Sequence, residues 1–144
     1  QGKPAEALPN LRTANRLKPG SAEGLYLLGC AAAQAGAAEE AVTALTQVEA
    51  MGATGDALDF FMGQALLGLG RLDEAESRLR RYLEHFPTDA AGMFLMATLR
   101  ERQGQPTDAA SWLKQARAGR FPNVAAMDAL EEQLRRPRAQ DAPR

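Results

Sequence analysis

Chemically reactive side chains are scarce in this sequence. It has one cysteine and one histidine among 144 residues, so it forms no disulfide within the chain and offers no Cys/His cluster for a metal. A triad that needs a histidine could use only His85, and the glycines fall singly rather than in a phosphate-binding loop. We therefore expect no catalytic activity, no metal site and no cofactor.

Charge of one sign and long apolar runs are also missing. Lys+Arg number 17 and Asp+Glu number 18, which gives a formal net charge of −1. This balance argues against nucleic acid as the main partner, because nucleic-acid binding requires a strongly basic surface. No apolar run approaches the roughly 18 residues of a membrane span, so membrane insertion is not expected.

What the sequence does contain is a repeat. Single glycines recur every 34 residues, at Gly2, Gly36, Gly70 and Gly104. An alanine follows each of them five residues later, at Ala7, Ala41, Ala75 and Ala109. A leucine follows each alanine four residues later, at Leu11, Leu45, Leu79 and Leu113. An acidic residue precedes each of these alanines, so four registers hold over four copies.

Each copy is predicted to be a pair of helices. In the central copy, helical patterns run over 58–69 and 73–86 on either side of Gly70, and Pro87 ends the second. Small residues at Gly63 and Ala75 would let the two helices approach closely. A helix–turn–helix unit that repeats every 34 residues is typical of the tetratricopeptide repeat (TPR) family. The sequence therefore resembles this family from Gly2 to about Pro122. The resemblance implies an all-α, right-handed superhelical solenoid.

The copies divide the chain as follows. We expect a repeat array over 1–136, made of a half repeat at 1–21, full repeats at 22–55, 56–89 and 90–122, and a C-terminal capping helix at 123–136. The expected N-caps are Ser21, Asp89, Thr107 and Asn123. Residues 137–144 should be a disordered tail. Asp59 replaces the family's tryptophan-like residue, which predicts a looser start to its helix.

Three aromatic residues share one register of the first helices: Tyr26, Phe60 and Phe94. In the TPR family this fifth position faces the concave groove, so the resemblance implies a ladder of rings along a binding surface. The alternative is that the rings fill gaps between adjacent first helices. The further groove residues are predicted to be Cys30, Gln64, Leu67, Thr98, Glu101 and Arg102.

The resemblance implies a non-catalytic scaffold that binds a peptide or helix of a partner protein, in a bacterial assembly or secretion system. One alternative is a docking or regulatory module of a larger enzyme. Another is a self-assembly module that associates through the exposed N-terminal half repeat. The groove positions lack the lysine, asparagine and arginine clamp that binds chaperone C-termini. The array starts within a repeat, so we expect it to belong to a longer protein. The resemblance leaves the compartment open between the cytoplasm and a bacterial periplasm.

A small basic cluster in the central repeat has two interpretations. Arg78, Arg80 and Arg81 lie together on one second helix, with Arg71 nearby. They could form a site for an anion or an acidic partner. Alternatively, they form a solvated outer face on which acidic residues are interspersed.

Overall fold

The computed structural model describes residues 3–120 and 122–136. In that part the chain forms eight α-helices: α1 Pro4–Leu17, α2 Ala22–Ala35, α3 Ala38–Ala50, α4 Asp56–Gly68, α5 Leu72–His85, α6 Ala90–Arg102, α7 Pro106–Ala118 and α8 Val124–Arg135. The all-α prediction is confirmed, and in the central copy each helix boundary falls within two residues of its expected place. None of these helices is long and apolar enough to cross a bilayer. The tail predicted at 137–144 lies outside the described residues.

Local sequence explains where the helices start and turn. Ser21 Oγ accepts a hydrogen bond from the Gly24 N–H at 3.2 Å, and Asn123 Oδ1 accepts one from the Ala126 N–H at 3.1 Å, so both act as the predicted N-caps. The prediction for Thr107 was wrong, because α7 begins one residue earlier at Pro106. Proline suits that position, where its missing N–H would have had no partner. Between the paired helices, Gly70 has φ 74°, a left-handed conformation that favours glycine.

The helices form two compact units, Gln1–His85 and Phe86–Arg144. In the first unit α2 pairs with α3 and α4 with α5, α1 packs on α2, and α4 also contacts α2 and α3. In the second unit α6 pairs with α7, and α8 contacts both. Each predicted helix–turn–helix copy is therefore a hairpin of neighbouring helices, and α1 and α8 are single helices beside them.

A small residue faces a leucine in the first two hairpins. A Cβ added at Gly29 would lie 2.6 Å from Leu45 Cγ, and one added at Gly63 would lie 2.8 Å from Leu79 Cγ. Both leucines are fully buried. The first helices can approach this closely only because glycine leaves room for the leucine side chain. We call this contact the seam.

The C-terminal helix α8 occupies the register of a first helix. Met127 and Leu130 are buried like their equivalents in α6. At the seam position, however, stands Glu131, which accepts hydrogen bonds from Arg117 at 2.7 Å and Arg135 at 2.6 Å. A charged side chain does not fit the close contact that glycine makes in the hairpins, so we propose that α8 caps the array. A polar outer face is what a terminal repeat requires for solubility.

Removing α8 is expected to lower solubility and thermal stability. A chain that ends at Pro122 loses the buried Met127 and Leu130 and exposes the apolar side of α7 that they cover. Differential scanning fluorimetry and light scattering would measure the change. The matched control ends at Pro137, which keeps all of α8. Equal behaviour of the two truncated chains would show that α8 is not a cap.

Candidate functional site

The aromatic register divides between the two units. Tyr26 on α2 and Phe60 on α4 lie in the first unit, on helices that contact each other, and Phe94 on α6 lies in the second. All three rings are half-buried. The first unit therefore presents two rings on adjacent first helices. We call Tyr26, Cys30, Phe60 and Gln64 the first-helix surface.

Phe60 is held in place by two neighbouring rings. Its centroid lies 5.2 Å from that of Phe61, with the planes at 84°, and 5.0 Å from that of Tyr82. Aromatic pairs at these distances and angles stabilise one another. The contact with Tyr82, which lies on α5, could not be seen from the first-helix register. The ring of Phe60 is thus fixed by its own hairpin and keeps only part of its surface for other contacts.

Cys30 lies one helical turn after Tyr26, close enough for each side chain to affect the pKa of the other. Burial raises the pKa of the Cys30 thiol, and the weaker effect of the nearby Tyr26 hydroxyl is to lower it. Burial likewise raises the pKa of Tyr26. Both groups are therefore neutral at physiological pH. The pair offers an aromatic ring with polar, uncharged atoms, and the thiol is not an activated nucleophile.

Gln64 lies one turn after Phe60 in the same way. Its Oε1 atom is buried and accepts no hydrogen bond from the described residues, although the residue as a whole is half-buried. A buried acceptor without a donor is costly, at about 1–3 kcal/mol. Because the atom is buried, a bound peptide could donate to it only after the Gln64 side chain turns outward.

Leu67 was predicted on the same surface but is only 4% exposed. Helix α4 contacts α2, α3 and α5, so it is enclosed on most sides. The helical register places Leu67 near Gln64, but burial leaves it almost no surface to offer a partner. Leu67 is therefore not included in the first-helix surface.

In the second unit the predicted site residues all lie on α6. Phe94, Thr98 and Glu101 are half-buried and Arg102 is exposed. The Thr98 hydroxyl donates a hydrogen bond to the Phe94 carbonyl oxygen at 3.0 Å. That bond uses the only proton of the hydroxyl, so Thr98 can serve a partner only as an acceptor.

Carboxylates of the first unit pair with the positive charges of Arg78 and Arg81. Arg78 donates to both carboxylate oxygens of Glu49 and, at 3.1 Å, to Asp59 Oδ1, and Arg81 donates to the same oxygen at 2.5 Å. The Glu49 hydrogen bond is the main cause that raises the pKa of Arg78. These bonds join α3, α4 and α5. Arg78 therefore connects helices and is not available as an anion site.

The looser helix start expected at Asp59 was wrong. Helix α4 begins at Asp56, two residues before the predicted start. Asp56 lies 2.5 Å from His85 Nδ1, and Asp59 holds Arg78 and Arg81. Acidic residues in a first turn also complement the helix dipole. The departure from the repeat pattern thus anchors the helix start.

No group of three or more His, Cys, Asp or Glu side chains within 3–120 and 122–136 is placed to hold a metal ion.

Comparison with known proteins gives one family. The family model described as "Tetratricopeptide repeat" matches residues 1–56 and 62–125. The structure of MamA residues 41 to the end from Desulfovibrio magneticus RS-1 is similar, with TM-score 0.64 and 21% identity over 92% of this chain and 84% of that chain. A MamA RS-1 ArsTM double mutant is also similar, with TM-score 0.61 and 21% identity over 97% and 88% of the two chains. No curated protein sequence matches the chain.

Proposed function

Because the chain belongs to the tetratricopeptide repeat family, we propose that it is a non-catalytic module that binds an extended peptide or an amphipathic helix of a partner protein through the first-helix surface. Repeats of this family support protein interaction in general. The observation that carries the proposal is the pairing of two half-buried rings on adjacent helices, Tyr26 and Phe60, each followed one turn later by a polar side chain.

The chemistry of the surface indicates the kind of peptide. Tyr26 and Cys30 are neutral, and Gln64 has a carbonyl oxygen without a donor. Such a surface favours an apolar side chain against the rings, and the Gln64 side chain would have to turn outward to accept a hydrogen bond from the peptide. Recognition would then depend on aromatic contact and hydrogen bonding more than on charge.

Replacing Phe60 with alanine is expected to weaken binding about 30-fold or more, because a buried aromatic contact at an interface contributes roughly 2 kcal/mol or more. Peptides selected from a displayed random library on the wild-type chain would be titrated against both proteins by calorimetry. Leu27→Ala is the matched control, since Leu27 lies on α2 and is exposed but outside the aromatic register.

Two results would contradict the proposal. In the first, the selected peptides bind the folded Phe60→Ala chain with unchanged affinity. In the second, Leu27→Ala weakens binding as much as Phe60→Ala does. A further variant, Tyr26→Phe, keeps the ring and removes the hydroxyl near Cys30. It should lower affinity less than Tyr26→Ala.

A further inference from the structure

A network of charged side chains joins the two hairpins of the first unit. Arg78 on α5 donates to both carboxylate oxygens of Glu49 on α3, to one of them at 3.0 Å, and at 3.1 Å to Asp59 on α4. Arg81 donates to the same Asp59 oxygen at 2.5 Å. The network therefore pairs two arginines with two carboxylates, so its formal charges cancel.

The contact between Arg78 and Glu49, which we call the bridge, spans two helices that do not otherwise meet. Within the described residues α3 contacts α2 and α4, and α5 contacts α4, but the backbones of α3 and α5 stay apart. Two parallel hydrogen bonds between an arginine and a carboxylate fix the direction of a contact as well as its length. The bridge therefore constrains how one hairpin is oriented on the other.

Arg78 is also better shielded from water than a typical surface arginine. Its side chain is 22% exposed, whereas that of Arg80, two residues later, is 62% exposed and pairs with Glu76 of the same helix. Exposed ion pairs contribute little, because solvent and salt screen them. Of these two arginines, Arg78 is therefore the one whose ion pair can hold separate helices in place.

On the second hairpin the network adjoins Phe60. Asp59 directly precedes Phe60 on α4. Arg78 lies one helical turn before Tyr82 on α5, and the centroid of the Tyr82 ring is 5.0 Å from that of Phe60. The network and the Phe60 ring therefore lie side by side between the same two helices.

On the first hairpin the bridge ends close to Tyr26. Gly29 of α2 faces Leu45 of α3. The two helices run antiparallel, so Tyr26, which precedes Gly29 by three residues, lies level with the residue that follows Leu45 by three. Glu49 is the next residue in the chain. Both ends of the bridge are therefore at the end of the unit where the two rings lie.

We propose that Arg78 is a positioning residue, which fixes the spacing between Tyr26 and Phe60 by tying the α2–α3 hairpin to the α4–α5 hairpin. This inference rests on the proposed function of the first-helix surface and adds how that surface is held in its binding arrangement. A peptide that contacts both rings needs them at one separation. A surface that already has this separation loses less conformational freedom on binding.

Two variants remove the bridge from opposite ends. Arg78→Met and Glu49→Met each keep an unbranched side chain and remove its charge and its hydrogen bonds. Each should lower the affinity for the peptides selected on the wild-type chain about fivefold, because hairpin motion would then be lost only on binding. The double variant should bind no more weakly than either single one. Arg80→Met is the matched control, since the Arg80 ion pair lies within α5.

A distance measurement tests the bridge without any peptide. Spin labels at Thr46→Cys on α3 and Ser77→Cys on α5, both exposed positions, report the separation of the hairpins by double electron–electron resonance in a Cys30→Ala chain. The distance distribution should broaden in both bridge variants and stay unchanged in the control. Arg78→Lys keeps the charge but loses the two parallel donors, so it should give an intermediate width.

Three results would overturn the proposal. In the first, removing the bridge leaves the distance distribution as narrow as in the control. In the second, the distribution broadens but peptide affinity is unchanged, so the bridge has no role in binding. In the third, Arg80→Met lowers affinity as much as Arg78→Met does. If Phe60→Ala binds the peptides normally, the proposed function fails, whereas the distance measurement still decides whether Arg78 ties the hairpins.

Discussion

Replacing Gly63 with leucine is expected to destabilise the first unit by about 1–3 kcal/mol or more. A Cβ at this position would already lie 2.8 Å from Leu79 Cγ, 2.9 Å from Leu79 Cδ2 and 3.4 Å from Arg78 Cβ. Leu79 is fully buried and cannot move aside without disturbing its neighbours. Urea unfolding followed by far-UV circular dichroism would measure the loss. The single tryptophan, Trp112, lies on α7, so its fluorescence follows the second unit separately.

Two variants make this result specific to the seam. Ala57→Leu places the same side chain on an exposed position of α4 and should leave the free energy of unfolding nearly unchanged. Gly63→Ala should have an intermediate effect, since the third hairpin has Ala97 at this position. If Gly63→Leu unfolds at the same urea concentration as Ala57→Leu, then Gly63 does not lie at a close helix contact.

The fold was predictable because the repeat encodes it redundantly. Turn glycines, seam residues and leucines recur in every copy, so one unusual residue does not obscure the period. The repeat pattern placed small residues at Gly63 and Ala75 where the two helices approach, and the structure shows that the side chain opposite Gly63 is Leu79. Errors at helix ends came from local chemistry, as at Pro106, where proline starts a helix that was expected to begin at Thr107.

The candidate site was less predictable because its contacts do not repeat. Arg78 lies 29 residues from Glu49 and 19 from Asp59, so their ion pairs follow no register of the family. From the sequence alone, Asp59 was therefore interpreted as a departure that weakens the repeat, because its ion-pair partners could not be predicted. The helical register groups Phe60 with Gln64 on one face of α4. The register could not show that α4 is enclosed by three helices. Leu67 is buried there and is therefore not part of the first-helix surface.

Replacing Leu79 with alanine is expected to destabilise the first unit by about 2–5 kcal/mol, because the change leaves a cavity in a core that cannot fully collapse. Leu79 is 0% exposed and fills the space above Gly63. A typical domain has a free energy of unfolding of about 5–15 kcal/mol, so this loss is a large fraction of the total. Urea unfolding would measure it, and Leu27→Ala, at an exposed position, provides the baseline.

The comparison of Leu79→Ala with Phe60→Ala separates folding from binding. Phe60 is half-buried, and it touches two rings whose pairwise contributions are about 0.5–1.5 kcal/mol each. Its truncation should therefore cost less stability than that of Leu79 and still remove a ring from the first-helix surface. We expect Phe60→Ala to remain folded and to lose peptide affinity. Should it unfold as readily as Leu79→Ala, the ring would serve the hairpin and the binding surface would have to lie elsewhere.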